Sequence, residues 1–74
     1  MSEARPRSVL VSLNGDDREI PAGLTVRELL SHLDLNERLV VVERNREVLR
    51  RAQYGDVQVR EGDEIELVHF VGGG

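Results

Sequence analysis

One segment, residues 25–33, restricts the fold of this 74-residue chain more than any other feature. Apolar side chains recur there at the spacing of a single helical stripe, namely Val26, Leu29, Leu30 and Leu33. Thr25 and Glu28 have the spacing of a capping box, in which each side chain accepts a hydrogen bond from the other residue's backbone N–H. The sequence therefore predicts one amphipathic helix, at about Val26 to Leu33, which must bury its stripe against another element.

The segments on either side of this helix have the patterns of β-strands. Apolar residues alternate over Ser8 to Leu13, and Asn14-Gly15 behind them is a strong hairpin signal, so Arg18 to Ile20 is the predicted returning strand. Three more strands are predicted after the helix, at Leu39 to Glu43, Glu47 to Leu49 and Glu64 to Val71. Between them, the sequence predicts a turn at Arg44 to Arg46, a short helical turn near Arg50 to Tyr54 and a short extended piece at Val57 to Val59.

A single helix packed across one face of a mixed sheet buries the apolar stripe economically. If the first and last strands lie side by side, their connection contains the helix, so they must run parallel. We therefore predict the α+β class and the ubiquitin-like β-grasp fold, with four to five strands and one main helix. The expected organisation is a flexible arm at 1–7, the β-grasp domain at 8–71 and a flexible tail at 72–74.

Composition excludes several classes of function. The chain has no cysteine, so disulfides and thiolate chemistry are excluded. A net charge of −4 argues against nucleic-acid binding, and no apolar run approaches the length that spans a bilayer. We expect a cytoplasmic protein that is a monomer when free, with no metal or other cofactor. His32 and His69 are isolated, and we expect both to lie at the surface rather than in a catalytic site.

The sequence ends in three glycines that follow an apolar strand pattern, Ile65-Glu66-Leu67-Val68-His69-Phe70-Val71. Glycines carry no side chain, so such a tail is thin enough to enter another protein's active site. Three extended residues reach roughly 10 Å beyond the strand. We therefore expect the carboxylate of Gly74 to be the reactive group, with Gly72 and Gly73 providing reach.

The strand and tail also resemble a known family. The segment Val40-Val41-Val42-Glu43-Arg44-Asn45, the ending His69-Phe70-Val71-Gly72-Gly73-Gly74 and the β-grasp order are similar to the ThiS sulfur carriers of thiamine biosynthesis, over roughly Val9 to Gly74. The resemblance implies that an ATP-dependent, ubiquitin-activating-type adenylyltransferase (ThiF-like) adenylates Gly74. It further implies conversion to a thiocarboxylate, whose sulfur passes to a thiazole synthase (ThiG-like).

Strand alternation adds a candidate docking surface. If Ile65 and Leu67 face the helix, Val68 and Phe70 face the opposite way and lie exposed just before the tail. We expect this pair to contact the partner. The acidic residues nearby are expected to form a solvated edge, and the alternative is that they meet a basic surface of the partner; they are Glu61, Asp63, Glu64 and Glu66.

Two other kinds of function stay open from the sequence. One is a related carrier for molybdopterin, tRNA thiolation or cysteine synthesis, which would use the same glycines. The other is a non-covalent β-grasp binding module, which would need no free terminus. An enzyme is not expected, because the chain has no paired acid and base and too little mass to enclose a pocket of several hundred Å³.

Overall fold

The segments with alternating apolar residues form a sheet, and the amphipathic helix packs across one face of it. The computed structural model describes residues 7–70, and the strands in this part form one mixed five-stranded sheet. Its elements are β1 (Ser8–Leu13), β2 (Asp16–Pro21), α1 (Val26–His32), β3 (Val40–Arg44), β4 (Glu47–Val48) and β5 (Glu64–His69), with short 3-10 helices at Glu37–Leu39 and Arg51–Gln53. The strand order across the sheet is β2-β1-β5-β3-β4.

The sheet topology confirms the predicted fold. β1 and β2 form an antiparallel hairpin around Asn14 and Gly15, both of which have positive φ (51° and 86°). β1 and β5 run parallel, with Ser12 opposite Glu64 and Leu13 opposite Ile65. The connection between them contains α1, so the protein has the α+β class and the β-grasp arrangement that the sequence predicts.

The helix begins as predicted and ends one residue earlier than predicted. The hydroxyl of Thr25 accepts a hydrogen bond from the Glu28 N–H at 3.2 Å, and the Glu28 carboxylate accepts one from the Thr25 N–H at 2.9 Å. Val26, Leu29 and Leu30 are fully buried. Leu33 caps the helix C-terminus and is half-buried, and Asp34 then takes a positive φ of 62°, which ends the helix.

The core lies between α1 and the sheet. Its buried apolar residues are Val11, Leu13, Ile20, Val26, Leu29, Leu30, Val40, Val42, Tyr54, Val59 and Ile65. Tyr54 brings the segment between β4 and β5 into this core, and its hydroxyl donates a hydrogen bond to the Val40 carbonyl at 3.0 Å. A buried tyrosine needs such a partner, so this contact ties the irregular segment to β3.

Several predicted boundaries are wrong by one or two residues. β2 extends to Asp16 and Pro21, beyond the predicted Arg18 to Ile20, because its pairing with β1 continues to the hairpin turn regardless of side-chain polarity. Leu39 is exposed and belongs to a 3-10 helix that the Asn36 side chain caps, so β3 starts at Val40. β4 ends at Val48 rather than at Leu49.

Other predictions fall outside the described residues. The flexible arm was predicted at 1–7, of which only Arg7 is described, and the tail at 72–74 lies wholly outside. β5 is described to His69, and the predicted end of this strand at Val71 also lies outside. No helix within residues 7–70 is long and apolar enough to cross a membrane.

Candidate functional site

The strand that leads to the tail occupies the centre of the sheet. β5 pairs with β3 over Val40 to Arg44 on one side and with β1 on the other. Beyond the strand, the Phe70 N–H donates a hydrogen bond of 2.8 Å to the Leu39 carbonyl. The fold therefore holds the first part of β5 on both sides and its last part, up to Phe70, against β3.

Asn14 adds a contact to β5 that sequence reasoning missed. Its side-chain oxygen accepts a hydrogen bond from the Leu67 N–H at 2.7 Å, and its side-chain nitrogen donates one to the Leu67 carbonyl at 3.3 Å. The sequence explained Asn14 by the hairpin turn alone. No local pattern could have revealed this second role, because Leu67 lies 53 residues further along the chain.

The two faces of β5 differ in the way that the alternation predicts. Ile65 is 1% exposed beneath the helix, whereas Val68 and Phe70 are 56% and 54% exposed. Val41 of β3 lies directly opposite Val68 and is half-buried. The exposure of the pair is thus confirmed, and its role in docking stays a prediction. We call Val41, Val68 and Phe70 the apolar patch.

One of the predicted solvated acidic residues is instead buried. Asp63 accepts hydrogen bonds from the Arg44 guanidinium at 2.9 Å, the Asn45 side chain at 3.1 Å and the Arg60 N–H at 2.9 Å. The prediction of a solvated carboxylate was wrong for this residue, because Arg44 at the end of β3, Asn45 in the turn after it and Arg60 before β5 replace water. Arg44 and Asn45, which the sequence assigned to a turn, also fasten that turn to the start of β5.

These contacts change the acidity of the Asp63 carboxyl. Burial raises its pKa, but the hydrogen bonds from Arg60, Arg44 and Asn45, together with the charge of Arg44, outweigh burial. The pKa of Asp63 is therefore held below its ordinary value of 3.8. The carboxylate stays ionised at neutral pH and acts as a structural link.

The remaining acidic residues of this region are exposed as predicted, namely Glu61, Glu64 and Glu66. Glu66 lies directly opposite Glu43 in the β3–β5 ladder, on the same face as the apolar patch. Like charges at opposed positions repel each other. The face opposite the helix thus has an apolar end near Phe70 and an acidic end near Glu43.

The structure describes both histidines but none of the three terminal glycines. His32 and His69 are both exposed, and residues 7–70 contain no group of three side chains able to hold a metal ion. Gly72, Gly73 and Gly74 lie outside the described residues. The structure therefore shows the strand that leads to the predicted reactive group, while the group itself stays a prediction.

This architecture defines a class: a ubiquitin-like β-grasp protein whose central strand leads towards a glycine sequence. More narrowly, the chain belongs to the ThiS family, whose model matches residues 11–74. It is 39% identical to the sulfur carrier protein ThiS of Bacillus subtilis (strain 168), over 66 residues that cover 88% of this chain and 100% of that protein.

A solved structure and a longer protein are also similar. The crystal structure of the thiamine biosynthesis protein ThiS from Geobacter metallireducens matches with a TM-score of 0.76 and 36% identity, covering 89% of this chain and 100% of that one. A thiazole synthase of Paramagnetospirillum magneticum is 44% identical over 62 residues, 84% of this chain. The chain spans only about a fifth (19%) of the length of that relative.

Proposed function

We propose that this protein is a sulfur carrier of thiamine biosynthesis and that the carboxylate of Gly74 carries the sulfur. One observation carries the proposal: the family match includes all three glycines and extends over residues 11–74. The Bacillus relative, matched over its whole length, is a sulfur carrier protein. The protein acts in this proposal as a co-substrate that other enzymes modify, and it is not itself a catalyst.

The chemistry explains why activation is needed. An α-carboxyl group has a pKa of about 3.3–3.7, so it is an anion at neutral pH and a poor electrophile. Attack of the carboxylate on the α-phosphorus of ATP forms an acyl-adenylate and releases diphosphate. A sulfur nucleophile at the oxidation level of sulfide then attacks the carbonyl carbon, forms the C–S bond and displaces AMP, which gives the thiocarboxylate.

The catalytic groups for these steps come from partners in this proposal. A ubiquitin-activating-type adenylyltransferase (ThiF-like) binds ATP and activates Gly74, and a thiazole synthase (ThiG-like) accepts the sulfur. Support for the second partner is the thiazole synthase relative, in which a segment similar to this chain is part of the same polypeptide. Covalent linkage of this kind raises the effective concentration of two interacting units.

We propose that the apolar patch docks these partners. Val68 and Phe70 are exposed on the face opposite the helix, immediately before the tail. Burying apolar surface stabilises a complex by roughly 25 cal/mol per Å². A partner that covers the patch would hold the chain just before the tail. Gly72 and Gly73, which have no side chain, would then fit into a narrow channel that leads to the partner's active site.

The experiment is intact-mass measurement of this chain after incubation with the adenylyltransferase, ATP and a sulfur donor. We expect a mass change equal to replacement of one oxygen by sulfur, located at Gly74. The matched control carries one extra alanine after Gly74, which should stay unmodified. Modification of the extended chain, or none in the native one, would contradict the proposal.

The two alternative functions predict different experimental results. A carrier for molybdopterin, tRNA thiolation or cysteine synthesis would form the same thiocarboxylate but would not support thiazole formation with thiazole synthase. A non-covalent β-grasp module would bind its partner equally well with the extra alanine.

A further inference from the structure

The parallel strands β1 and β5 lie side by side over only two residue pairs. Each strand therefore has a part that is not next to the other strand. The paired positions are Ser12 with Glu64 and Leu13 with Ile65. The first half of β1, before Ser12, therefore has no strand beside it on this edge. Within residues 7–70, the same is true of the last part of β5, after Ile65.

The loop before β5 provides hydrogen-bond partners for the first half of β1. The carboxylate of Glu61 accepts a hydrogen bond from the Leu10 N–H at 2.9 Å, and the Gly62 N–H donates one to the Leu10 carbonyl at 2.8 Å. The Ser12 N–H then donates to the Asp63 carbonyl at 2.9 Å. Both backbone groups of Leu10 on this edge therefore have partners.

In the part of β5 that is not next to β1, the backbone groups on this edge have hydrogen-bond partners only as far as Leu67. The Asn14 side chain accepts from the Leu67 N–H and donates to the Leu67 carbonyl, and thus acts as one further residue of β1. Backbone groups alternate between the two edges of a strand. The Ile65 carbonyl and the Leu67 groups face β1 and Asn14, whereas the Phe70 N–H faces β3. The N–H and carbonyl of His69 therefore point to the open edge.

The other edges of the sheet have the features that discourage strand pairing. β2 carries four charged residues in succession, Asp16 to Glu19, and ends in Pro21. β4 is only two residues long. Very short strands, charged side chains and proline are the devices by which edge strands avoid added strands. Within residues 7–70, the stretch beyond Leu67, Val68 to Phe70, has no proline, aspartate, glutamate, lysine or arginine, whereas Glu64 and Glu66 lie earlier in β5.

We propose that the backbone edge of β5 at His69 pairs with an extended segment of the thiazole synthase that accepts the sulfur; this inference rests on the proposed function. Strand addition of this type uses main-chain hydrogen bonds for affinity. The added segment would pass the hairpin tip, where Asp16 and Asp17 are exposed. The charge there favours a segment that carries arginine or lysine.

Pairing at His69 would also orient the reactive group. His69 precedes Gly74 by five residues, which is about 17 Å of extended chain. A strand that is hydrogen-bonded on both edges continues in one direction, whereas a strand paired on one edge turns more freely. The added segment would thus aim the tail into the active site of the thiazole synthase.

Amide hydrogen exchange of the full chain, followed by NMR with and without the thiazole synthase of the same organism, tests this pairing. We expect the His69 amide to exchange freely in the free protein and at least about tenfold more slowly in the complex. The Phe70 amide, which donates to the Leu39 carbonyl, is the internal control and should be protected in both states. An unprotected His69 amide in a complex that still forms would overturn the pairing.

A semisynthetic chain with an ester in place of the amide between Val68 and His69 removes the edge N–H and also weakens the Val68 carbonyl, which faces β3, as an acceptor. We expect it to bind thiazole synthase about tenfold more weakly and to lose only a little stability. The matched ester at Phe70 removes the bond to Leu39 and weakens the His69 carbonyl but keeps the His69 N–H, so it should lower stability more and binding less than the His69 ester does. Equal binding by the His69 ester and the native chain would overturn the inference.

Two further outcomes separate this inference from its alternatives. Protection of His69 that rises with the concentration of the chain alone would assign the edge to a second copy and overturn the assignment to thiazole synthase. Failure of the proposed function appears separately, as the absence of oxygen-to-sulfur exchange at Gly74. A chain that forms the thiocarboxylate but leaves His69 unprotected contradicts the edge pairing alone.

Discussion

The side-chain amide of Asn14 pairs with the backbone of Leu67 as a strand residue would. The Leu67 N–H donates to the Asn14 oxygen at 2.7 Å, and the Asn14 nitrogen donates back to the Leu67 carbonyl at 3.3 Å. Asn14 also occupies the hairpin turn with a positive φ of 51°. One residue thus closes the β1–β2 hairpin and stabilises the last strand near the point where the chain leaves the sheet.

We predict that Asn14→Gly lowers the free energy of unfolding by about 1–2 kcal/mol, through loss of two hydrogen bonds. Glycine tolerates the positive φ, so the change isolates the side chain. Urea denaturation measures the effect, and exchange of the Leu67 amide should become faster. Asn14→Asp is the control, since it keeps the acceptor for the Leu67 N–H and should lose less stability. A glycine variant as stable as the native protein would show that the pairing contributes nothing.

The helix N-terminus gives a second prediction. Thr25→Ala should lower the free energy of unfolding by about 1 kcal/mol, because the Glu28 N–H loses its partner. Thr25→Ser keeps the hydroxyl and is the matched control, expected to stay near native stability. Thermal unfolding of the three proteins measures the difference. Equal losses in both variants would assign the effect to the methyl group of Thr25 rather than to the cap.

The local features of this fold could be predicted from the sequence. The helix and its cap depend on residues within one or two turns of each other, and the hairpin depends on Asn14-Gly15 between two strand patterns. The parallel β1–β5 pair followed from the helix in their connection. These inferences needed only spacing, turn chemistry and the short reach of hydrogen bonds along the chain.

The contacts that fasten β5 could not be predicted in the same way. Asp63 was expected to be solvated, yet its partner Arg44 lies 19 residues away and buries it only when the sheet forms. The pairing of Asn14 with Leu67 joins opposite ends of the sequence. For the candidate site, alternation predicted the exposure of Val68 and Phe70, whereas the importance of the glycines came from the motif.

The Asp63 network predicts a loss of stability in acid. The pKa of Asp63 is lowered in the folded protein, so its ionised form stabilises the fold above the ordinary pKa of 3.8 that the unfolded chain has. That contribution is lost as the pH falls through the lower, folded pKa. Asp63→Asn should cost about 2 kcal/mol at pH 7. The gap between this variant and the native protein should shrink when urea denaturation is repeated below pH 4, and a gap independent of pH would refute the charge-based explanation.

The apolar patch is tested by a matched pair of truncations. Val68 and Val48 are both exposed valines, at 56% and 65%, but Val48 lies on the short β4 away from the tail. Val68→Ala and Phe70→Ala should weaken binding of the adenylyltransferase several-fold, with little change in unfolding free energy, since both residues are more than half exposed in the free protein. Val48→Ala should leave the dissociation constant unchanged in the same titration. A large stability loss with intact binding would assign the patch to folding instead.

The width of the tail gives the last prediction. Gly73→Val adds a branched side chain one residue before the proposed reactive carboxylate, where a narrow channel would admit backbone only. Adenylation by the activating enzyme should fall below detection, while urea denaturation should match that of the native chain. Gly73→Ala adds a single methyl group and should keep partial activity, so the loss is expected to follow side-chain size. Full adenylation of the valine variant, followed by diphosphate release, would contradict the requirement for a thin tail.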